Sequence, residues 1–315
     1  MQSKKKRILF LVLALTLGLA GLSVARRLDL EDRSITVDGR ERTYHVKIPS
    51  PMPPGKLPLV IVLHGGGGNG RQMARFAGFS DLADERGFFA VYPDAYERNW
   101  NDGRQDVDAA AFRENVDDLA FLTAMLDSLL KEHPIDPARV YATGPSNGGI
   151  MSHYLAANRA DRIAAIAPVI GGIADPFCDR FAPSRPVPVL IVQGTEDPLV
   201  PYDGGAVSLG KRQRGKVVST DRTVSLWKGV NGCFGEPEVS QVEDRDPSDG
   251  CSVTRYAWKG TGADVELYRV DGGGHTWPGG RQYLPVGMIG RVCRDFNATE
   301  VIWEFFSRSR STAIE

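Results

Sequence analysis

Histidine is scarce in this chain. There are five among 315 residues, and only His275 lies in the second half. No CxxC occurs and no two histidines stand close together, so the pattern is not that of a zinc site. Nor is there a basic stripe. Lys and Arg number 38 against 39 Asp and Glu, a formal charge of −1, which argues against nucleic acid as a partner. No internal repeat and no long linker divides the chain. With 42% hydrophobic and 24% charged residues, its composition is that of an ordinary globular protein.

Long hydrophobic runs are also missing, except at the N-terminus. Lys4, Lys5, Lys6 and Arg7 precede an apolar run over residues 8–22, and Ser23-Val24-Ala25 offers small residues at a cleavage site. This is a secretory signal pattern. The run falls short of the ~20 residues of a membrane span, and no cysteine follows it to take a lipid. We therefore expect residues 1–25 to be a signal peptide and 26–315 a single exported domain with no stable membrane anchor. Without residues 1–25, 34 basic residues face 39 acidic ones, a charge of −5.

Export gives meaning to the four cysteines, Cys178, Cys233, Cys251 and Cys293, because disulfides persist in oxidising compartments. Four cysteines allow three pairings. Cys233–Cys251 is the favoured one, since the Gly-, Pro- and Asp-rich loop between them would gain from closure.

Several segments have clear periodicity. Residues 35–37 and 44–48 alternate around Asp38-Gly39, a hairpin signal. Residues 59–63 (LVIVL) and 88–92 (FFAVY) are continuous apolar runs, as in strands covered on both faces. Helical spacing runs from Val116 to about His133, and helices are also expected at 80–86, 149–159 and 223–230. Further strands are expected at 140–143, 187–193, 253–258 and 265–270. A last helix starts at Asn297, with Glu300 three residues on. Apolar strands alternating with helices predict an α/β class: a mostly parallel sheet with helices on both faces and an antiparallel N-terminal hairpin.

One stretch, "ATGPSNGGIMS" (142–152), places G-x-S-x-G between a strand and a helix. In that setting the serine sits on a sharp turn above the strand ends, which needs almost no side chain at Gly144 and Gly148. A serine hydroxyl is inert at neutral pH without a base and an acid to orient it. In this fold class the chain order is Ser, then Asp or Glu, then His. After Ser146 comes "VLIVQGTEDPLVP", giving Asp197 with Glu196 as a rival, and then "DGGGHTWPGG", giving His275 as the single candidate base. Two N–H groups should receive the oxyanion. The backbone of Asn147 is one, and Gly66 in the glycine run after residues 59–63 is the other, with Gly67 as its rival. His64 is expected to shape that loop, His153 to pack in its helix, and His45 and His133 to lie at the surface. Trp277, two residues beyond the base, is expected in the substrate pocket.

The motifs "LHGGGGN", "RNWNDG", "NVDDLAFL", "YATGPSNGGIMSHYLA", "QGTEDPLVPYDGG" and "GGGHTWPGG" resemble the secreted polyhydroxybutyrate depolymerase, feruloyl esterase and acetylxylan esterase group of α/β-hydrolases. The resemblance covers nearly the whole mature chain. It implies Ser146 as nucleophile, Asp197 as acid and His275 as base, and it sets Trp100 and Asn101 near the substrate. Pro145 departs from the group, whose members more often carry Leu, Met or Gln there.

Weaker patterns carry little. S-x-x-K recurs at Ser128–Lys131, Ser208–Lys211 and Ser225–Lys228 without its partner motifs, and "EDRDPSDG" (243–250) misplaces the glycine and final Glu of a calcium loop. The expectation is thus a secreted serine esterase that uses an acyl-enzyme, with no cofactor and no metal, acting on a polyester or a plant cell-wall polysaccharide ester. The alternatives are acyl transfer to a sugar or lipid hydroxyl, and a non-catalytic carbohydrate-binding protein on a hydrolase scaffold.

Overall fold

The computed structural model describes residues 28–209 and 212–311, without the side chains of 209, 212 and 213. The expected signal peptide lies outside the described residues. The strands, in chain order, are β1 (Glu31–Val37), β2 (Arg40–Lys47), β3 (Leu57–Val62), β4 (Phe89–Pro93), β5 (Ile135–Pro145), β6 (Ala165–Val169), β7 (Val189–Gly194), β8 (Gly205–Leu209), β9 (Arg212–Val217), β10 (Glu238–Gln241), β11 (Ser252–Trp258) and β12 (Val265–Asp271). The helices are α1 (Gly70–Phe76), α2 (Phe79–Arg86), α3 (Ala110–Arg113), α4 (Asp118–Glu132), α5 (Asn147–Asn158), α6 (Asp175–Cys178), α7 (Thr220–Asn231), α8 (Val286–Ile289) and α9 (Ala298–Ser307).

Among the described residues, ten strands form one sheet in the order β1-β2-β4-β3-β5-β6-β7-β12-β11-β10, and β8 and β9 pair antiparallel in a separate two-stranded sheet. The six central strands, from β4 to β12 in that order, are parallel. The N-terminal hairpin adds an antiparallel edge, as expected. The opposite edge, β11 and β10, is antiparallel too.

Strand alternation divides the core into two layers. Along β3, Leu59 and Ile61 face one layer, and Val60 and Val62 the other. The first layer takes Phe121, Leu122 and Met125 of α4, Ile150 and Met151 of α5, and Trp227 of α7. The second takes Met73 of α1, Phe79 of α2, and Ile302, Trp303 and Phe306 of α9. Rings fix the C-terminal helix in place: Tyr141 stacks on Phe306 at 4.7 Å and Phe88 on Trp303 at 4.0 Å. Such pairs add ~0.5–1.5 kcal/mol each beyond the area they bury.

The two layers overturn the favoured cysteine pairing. Cys233 packs in the first layer and Cys251 in the second, so the sheet lies between them. Cys233 Sγ instead donates to the carbonyl of Ala263 at 3.3 Å. His45 also differs from expectation. It is buried, with Nδ1 2.7 Å from Asp32 and Nε2 3.2 Å from Asp94.

Candidate active site

β5 ends at Pro145 and α5 begins at Asn147, so Ser146 alone turns the chain. Its backbone lies at φ 56° and ψ −123°, where residues with a Cβ are rarely found. Such a conformation costs ~1–3 kcal/mol and persists only where its surroundings impose it. Here they do. The Ser146 N–H donates to Val169 O at 2.9 Å, and its carbonyl accepts from Ile150 N at 2.9 Å. The flanking glycines are required by close approach. A Cβ on Gly144 would stand 2.3 Å from Leu63 O, and one on Gly148 2.5 Å from the same atom. Pro145 is accommodated because it continues β5, in register with Val169 of β6.

Asp197 and His275 come from the ends of neighbouring strands. Asp197 follows β7 and His275 follows β12, which pair in parallel. His275 Nδ1 is 2.8 Å from Asp197 Oδ2, and both side chains are buried. The other carboxylate oxygen, Oδ1, accepts from Leu199 N at 2.8 Å and Val200 N at 2.9 Å. Glu196, the rival acid, is exposed. Because a carboxylate can only accept, Nδ1 carries the proton and Nε2 keeps its lone pair, as a general base requires. The backbone of His275 is held as well: its N–H donates to Ile289 O at 2.5 Å, and its carbonyl accepts from Tyr283 Oη at 2.8 Å.

Ser146 and His275 line one cavity of about 470 Å³. Gly65, Gly66 and Gly68 form part of its wall. A Cβ on Gly65 would lie 3.6 Å from Ser146 Cβ, and one on Gly66 3.7 Å from Asn147 Cβ, so this loop runs directly beside the elbow. The N–H of Gly67 is already used, donating to Arg98 O at 2.8 Å, which leaves Gly66 as the loop's candidate donor. Asn147 opens α5, where first-turn N–H groups lack intrahelical acceptors and the dipole favours negative charge. Its side chain is engaged elsewhere, with Trp100 N (2.9 Å), Trp100 O (3.0 Å) and Asp102 Oδ2 (2.6 Å).

His64 shapes the loop, as expected. Its Nδ1 donates to Gly65 O at 2.8 Å, and its Nε2 accepts from Ala95 N at 3.0 Å. Burial lowers its pKa and keeps it neutral. His153 is packed inside α5, accepts from Trp227 Nε1 at 2.9 Å, and is held down to about 3 by burial.

Two expected substrate contacts do not line this cavity. Trp100 is fully buried behind the glycine loop, where Nε1 donates to His64 O at 2.9 Å. It has no free surface to offer a ligand. Asn101 lies on a different cleft, beside Arg104 and Phe112, with Nδ2 donating to Val116 O at 3.1 Å. Trp277 does line the cavity, though it is 1% exposed and its Nε1 donates to Thr299 Oγ1 at 3.1 Å. It is a wall held by the core rather than a mobile ring.

The cavity also uses Gln72, Met73, Phe76, Ile170 and Tyr283, none of which the motifs suggested. A signal did exist for three of them. Gln72, Met73 and Phe76 follow the N-cap Asn69 at helical spacing, on the face that α1 turns to the elbow. Phe76 meets Trp277 edge-on at 6.4 Å and Tyr283 edge-on at 5.6 Å. Burial, reinforced by the charge of Asp197, pushes the Tyr283 hydroxyl up to about 12, so it remains a donor.

Residues 42–245 match the dienelactone hydrolase family. The chain belongs to that family. It is 32% identical over 284 residues to a protein of Nocardia uniformis subsp. tsuyamanensis, NocK, whose name assigns it provisionally to the esterases; 87% of this chain and 81% of that protein are covered. It is 31% identical over 242 residues to feruloyl esterase B of Piromyces equi, with 75% of this chain covered but only 42% of that longer protein. Among solved structures, acetyl xylan esterase from Aspergillus awamori superposes with a TM-score of 0.52 at 14% identity, over 76% of this chain and 92% of the other. That likeness is one of fold, and it agrees with the α/β-hydrolase architecture of this dienelactone hydrolase family member.

Proposed function

We propose that this carboxylic ester hydrolase is an exported serine esterase working through Ser146, His275 and Asp197. The observation that carries the reading is the 2.8 Å contact between His275 Nδ1 and Asp197 Oδ2, on a histidine that shares its cavity with the strained Ser146 elbow. The sequence of events follows from the atoms. Ser146 Oγ attacks the ester carbonyl carbon while His275 Nε2 takes its proton. Asp197 stabilises the imidazolium that forms. The backbone N–H groups of Asn147 and Gly66 receive the oxyanion, a contribution worth about 10²–10³ in rate per donor. The imidazolium then protonates the departing alkoxide, leaving an acyl-enzyme. Water, activated by the same histidine, releases the acid. No step draws on a cofactor.

The acyl group we assign to this site is short or aromatic. Trp277, Phe76 and Tyr283 provide apolar walls at edge-on angles, and a ring seated among them would gain ~0.5–1.5 kcal/mol beyond area burial. The names of relatives point the same way, to feruloyl and acetylxylan esters, with a poly(3-hydroxyalkanoate) depolymerase also among them. The test is kcat/KM across p-nitrophenyl esters from acetate to palmitate, together with methyl ferulate, acetylated xylan and polyhydroxybutyrate. Acetate, butyrate or ferulate should lead. Ser146→Ala should remove at least ~10³-fold of the turnover while the fold is retained. A maximum at laurate or longer refutes the assignment of the pocket, and a tenth of the activity surviving in Ser146→Ala refutes the nucleophile.

A further inference from the structure

We propose that Cys251 and Cys293 form a disulfide that ties the segment holding the base loop to the edge of the sheet. In this structure both are thiols, with Sγ atoms within 4.8 Å of each other. Both side chains are buried, at 8% and 1% exposure. Neither has another cysteine to choose: Cys233 and Cys178 pack on the opposite layer of the sheet.

The segment after the base loop doubles back along it. Gly274 N and Thr276 Oγ1 both donate to Arg291 O, at 2.9 and 3.1 Å. Gly279 N donates to Cys293 O at 2.8 Å, and His275 N to Ile289 O. Cys293 therefore closes the stretch that grips His275 from behind. Cys251 immediately precedes β11, whose first residue, Ser252, pairs with Asp271 at the end of β12, four residues before His275. A bond between the two sulfurs would close a loop running from residue 251 to residue 293 and pin both sides of the base loop at once.

Asp249 also has an oxygen within 4.8 Å of both sulfurs, which raises metal binding as the competing use. Its two oxygens already accept from Cys251 N (2.8 Å) and Arg294 N (2.7 Å), as in a carboxylate that stabilises a turn. Asp295 lies beside them, fully buried. A metal would need two thiolates in a pocket that already holds two carboxylates. A divalent ion held by two thiolates and a disulfide leave the same net charge, so the ligand set decides: only three groups converge here, one of them a carboxylate already holding two backbone N–H groups, where a structural zinc takes four. A hydrogen bond with the Cys251 thiol and burial raise the pKa of Cys293, against the opposing backbone hydrogen bond from Asp295, so in the folded chain that thiol is poorly suited to ionise.

The oxidant is a disulfide-bearing exchange partner. During folding, while both sulfurs are still accessible, one protein thiolate attacks it and forms a mixed disulfide, and the first partner thiol leaves. The second protein thiolate then attacks the mixed disulfide and releases the other thiol. Two protein thiols and one partner disulfide become one protein disulfide and two partner thiols. Only the physiological source of oxidant rests on the export reading, and the bond itself can be formed in vitro.

The experiment uses the full chain with Cys178→Ser and Cys233→Ser, refolded in a glutathione redox buffer. Thiols are alkylated in denaturant before and after reduction, and peptides are mapped. The expected result is a single cross-linked peptide pair containing Cys251 and Cys293. Reduction should lower the melting temperature by roughly 5–12 °C, and should lower kcat on p-nitrophenyl acetate severalfold with KM little changed, reversibly on reoxidation. Cys251→Ser with Cys293→Ser should match the reduced protein and ignore the redox buffer. Two alkylatable thiols in an active, oxidatively refolded protein would overturn the bond. So would a stoichiometric metal, released by chelator together with both thiols. An unchanged kcat on reduction would overturn the link to the base. Loss of all esterase activity in the oxidised protein, with the bond present, would count against the esterase reading and leave the bond standing.

Discussion

Replacing Asp197 by Asn should cripple turnover through the tautomer of His275, not through loss of the fold. The magnitude follows from the two carboxylate oxygens. Oδ1 accepts from the N–H groups of Leu199 and Val200, and Oδ2 faces His275 Nδ1. An asparagine has one oxygen and one NH₂ to place there. With the oxygen kept on the two N–H groups, the NH₂ points at Nδ1 and donates to it. Nδ1 must then be the unprotonated nitrogen, and Nε2 carries the proton and cannot take one from Ser146. The reverse orientation restores the correct tautomer but turns the NH₂ towards two backbone donors. Leaving each of those donors unsatisfied costs ~1–3 kcal/mol, so the productive orientation is disfavoured by roughly 2–6 kcal/mol. At 1.4 kcal/mol per factor of ten, turnover falls by about 30-fold to 10⁴-fold. The assay is kcat for p-nitrophenyl acetate, with circular dichroism and thermal melting to show an intact fold. Glu196→Gln is the control, since that carboxylate is exposed and should leave kcat within about twofold. A folded Asp197→Asn enzyme that loses less than tenfold, or a matching loss in Glu196→Gln, would refute the reasoning.

Two further outcomes follow from strain and from charge. Ser146→Gly should abolish hydrolysis yet raise stability by about 1 kcal/mol, because glycine adopts φ 56° without the steric cost that serine bears; chemical denaturation that shows no gain would mean the elbow stores no strain. His45 provides a pH signature: burial disfavours its charge, but hydrogen bonds to Asp94 and Asp32 outweigh burial and raise its pKa above 6.5, with Arg71 opposing. A raised folded pKa stabilises fully below the unfolded value and is lost as pH rises through the folded one, so His45→Gln should destabilise most near pH ~5.5 and least near pH ~9. A stability difference that is flat across that range contradicts the assignment.

The parts of this fold that could be read from sequence are those where one physical demand dominates. A strand buried on both faces must be apolar throughout, so β3 and β4 stand out. The elbow must be nearly bare, so its glycines stand out. The candidate base is legible because histidine is so rare here. β6 was missed because Pro168 interrupts a short run of alanines, and it is tolerated in the sheet only in its tertiary setting. β10 was missed because all four of its residues are exposed, so no apolar pattern marks it. The cysteine pairing failed for a geometric reason. Sequence separation favours Cys233 with Cys251, but which side of the sheet each faces is decided by strand order and by the turn before β11.

Trp100 is the most instructive miss. A tryptophan on a loop that leaves the sheet at the same rim invites a role in binding, yet its indole N–H is committed to the His64 carbonyl, and its own N–H and carbonyl are held by the Asn147 side chain. His64 in turn holds the Gly65 carbonyl. These bonds run without interruption from the first residue of α5, through Trp100 and His64, to the glycine loop. They connect the two backbone segments proposed to receive the oxyanion. An oxyanion hole gives its full electrostatic benefit only if its dipoles need not reorganise when charge develops. Glycine-rich backbone is the conformation least able to hold itself still, since each glycine has the most freedom to lose. The buried ring braces that loop from behind the cavity, where a substrate cannot reach it.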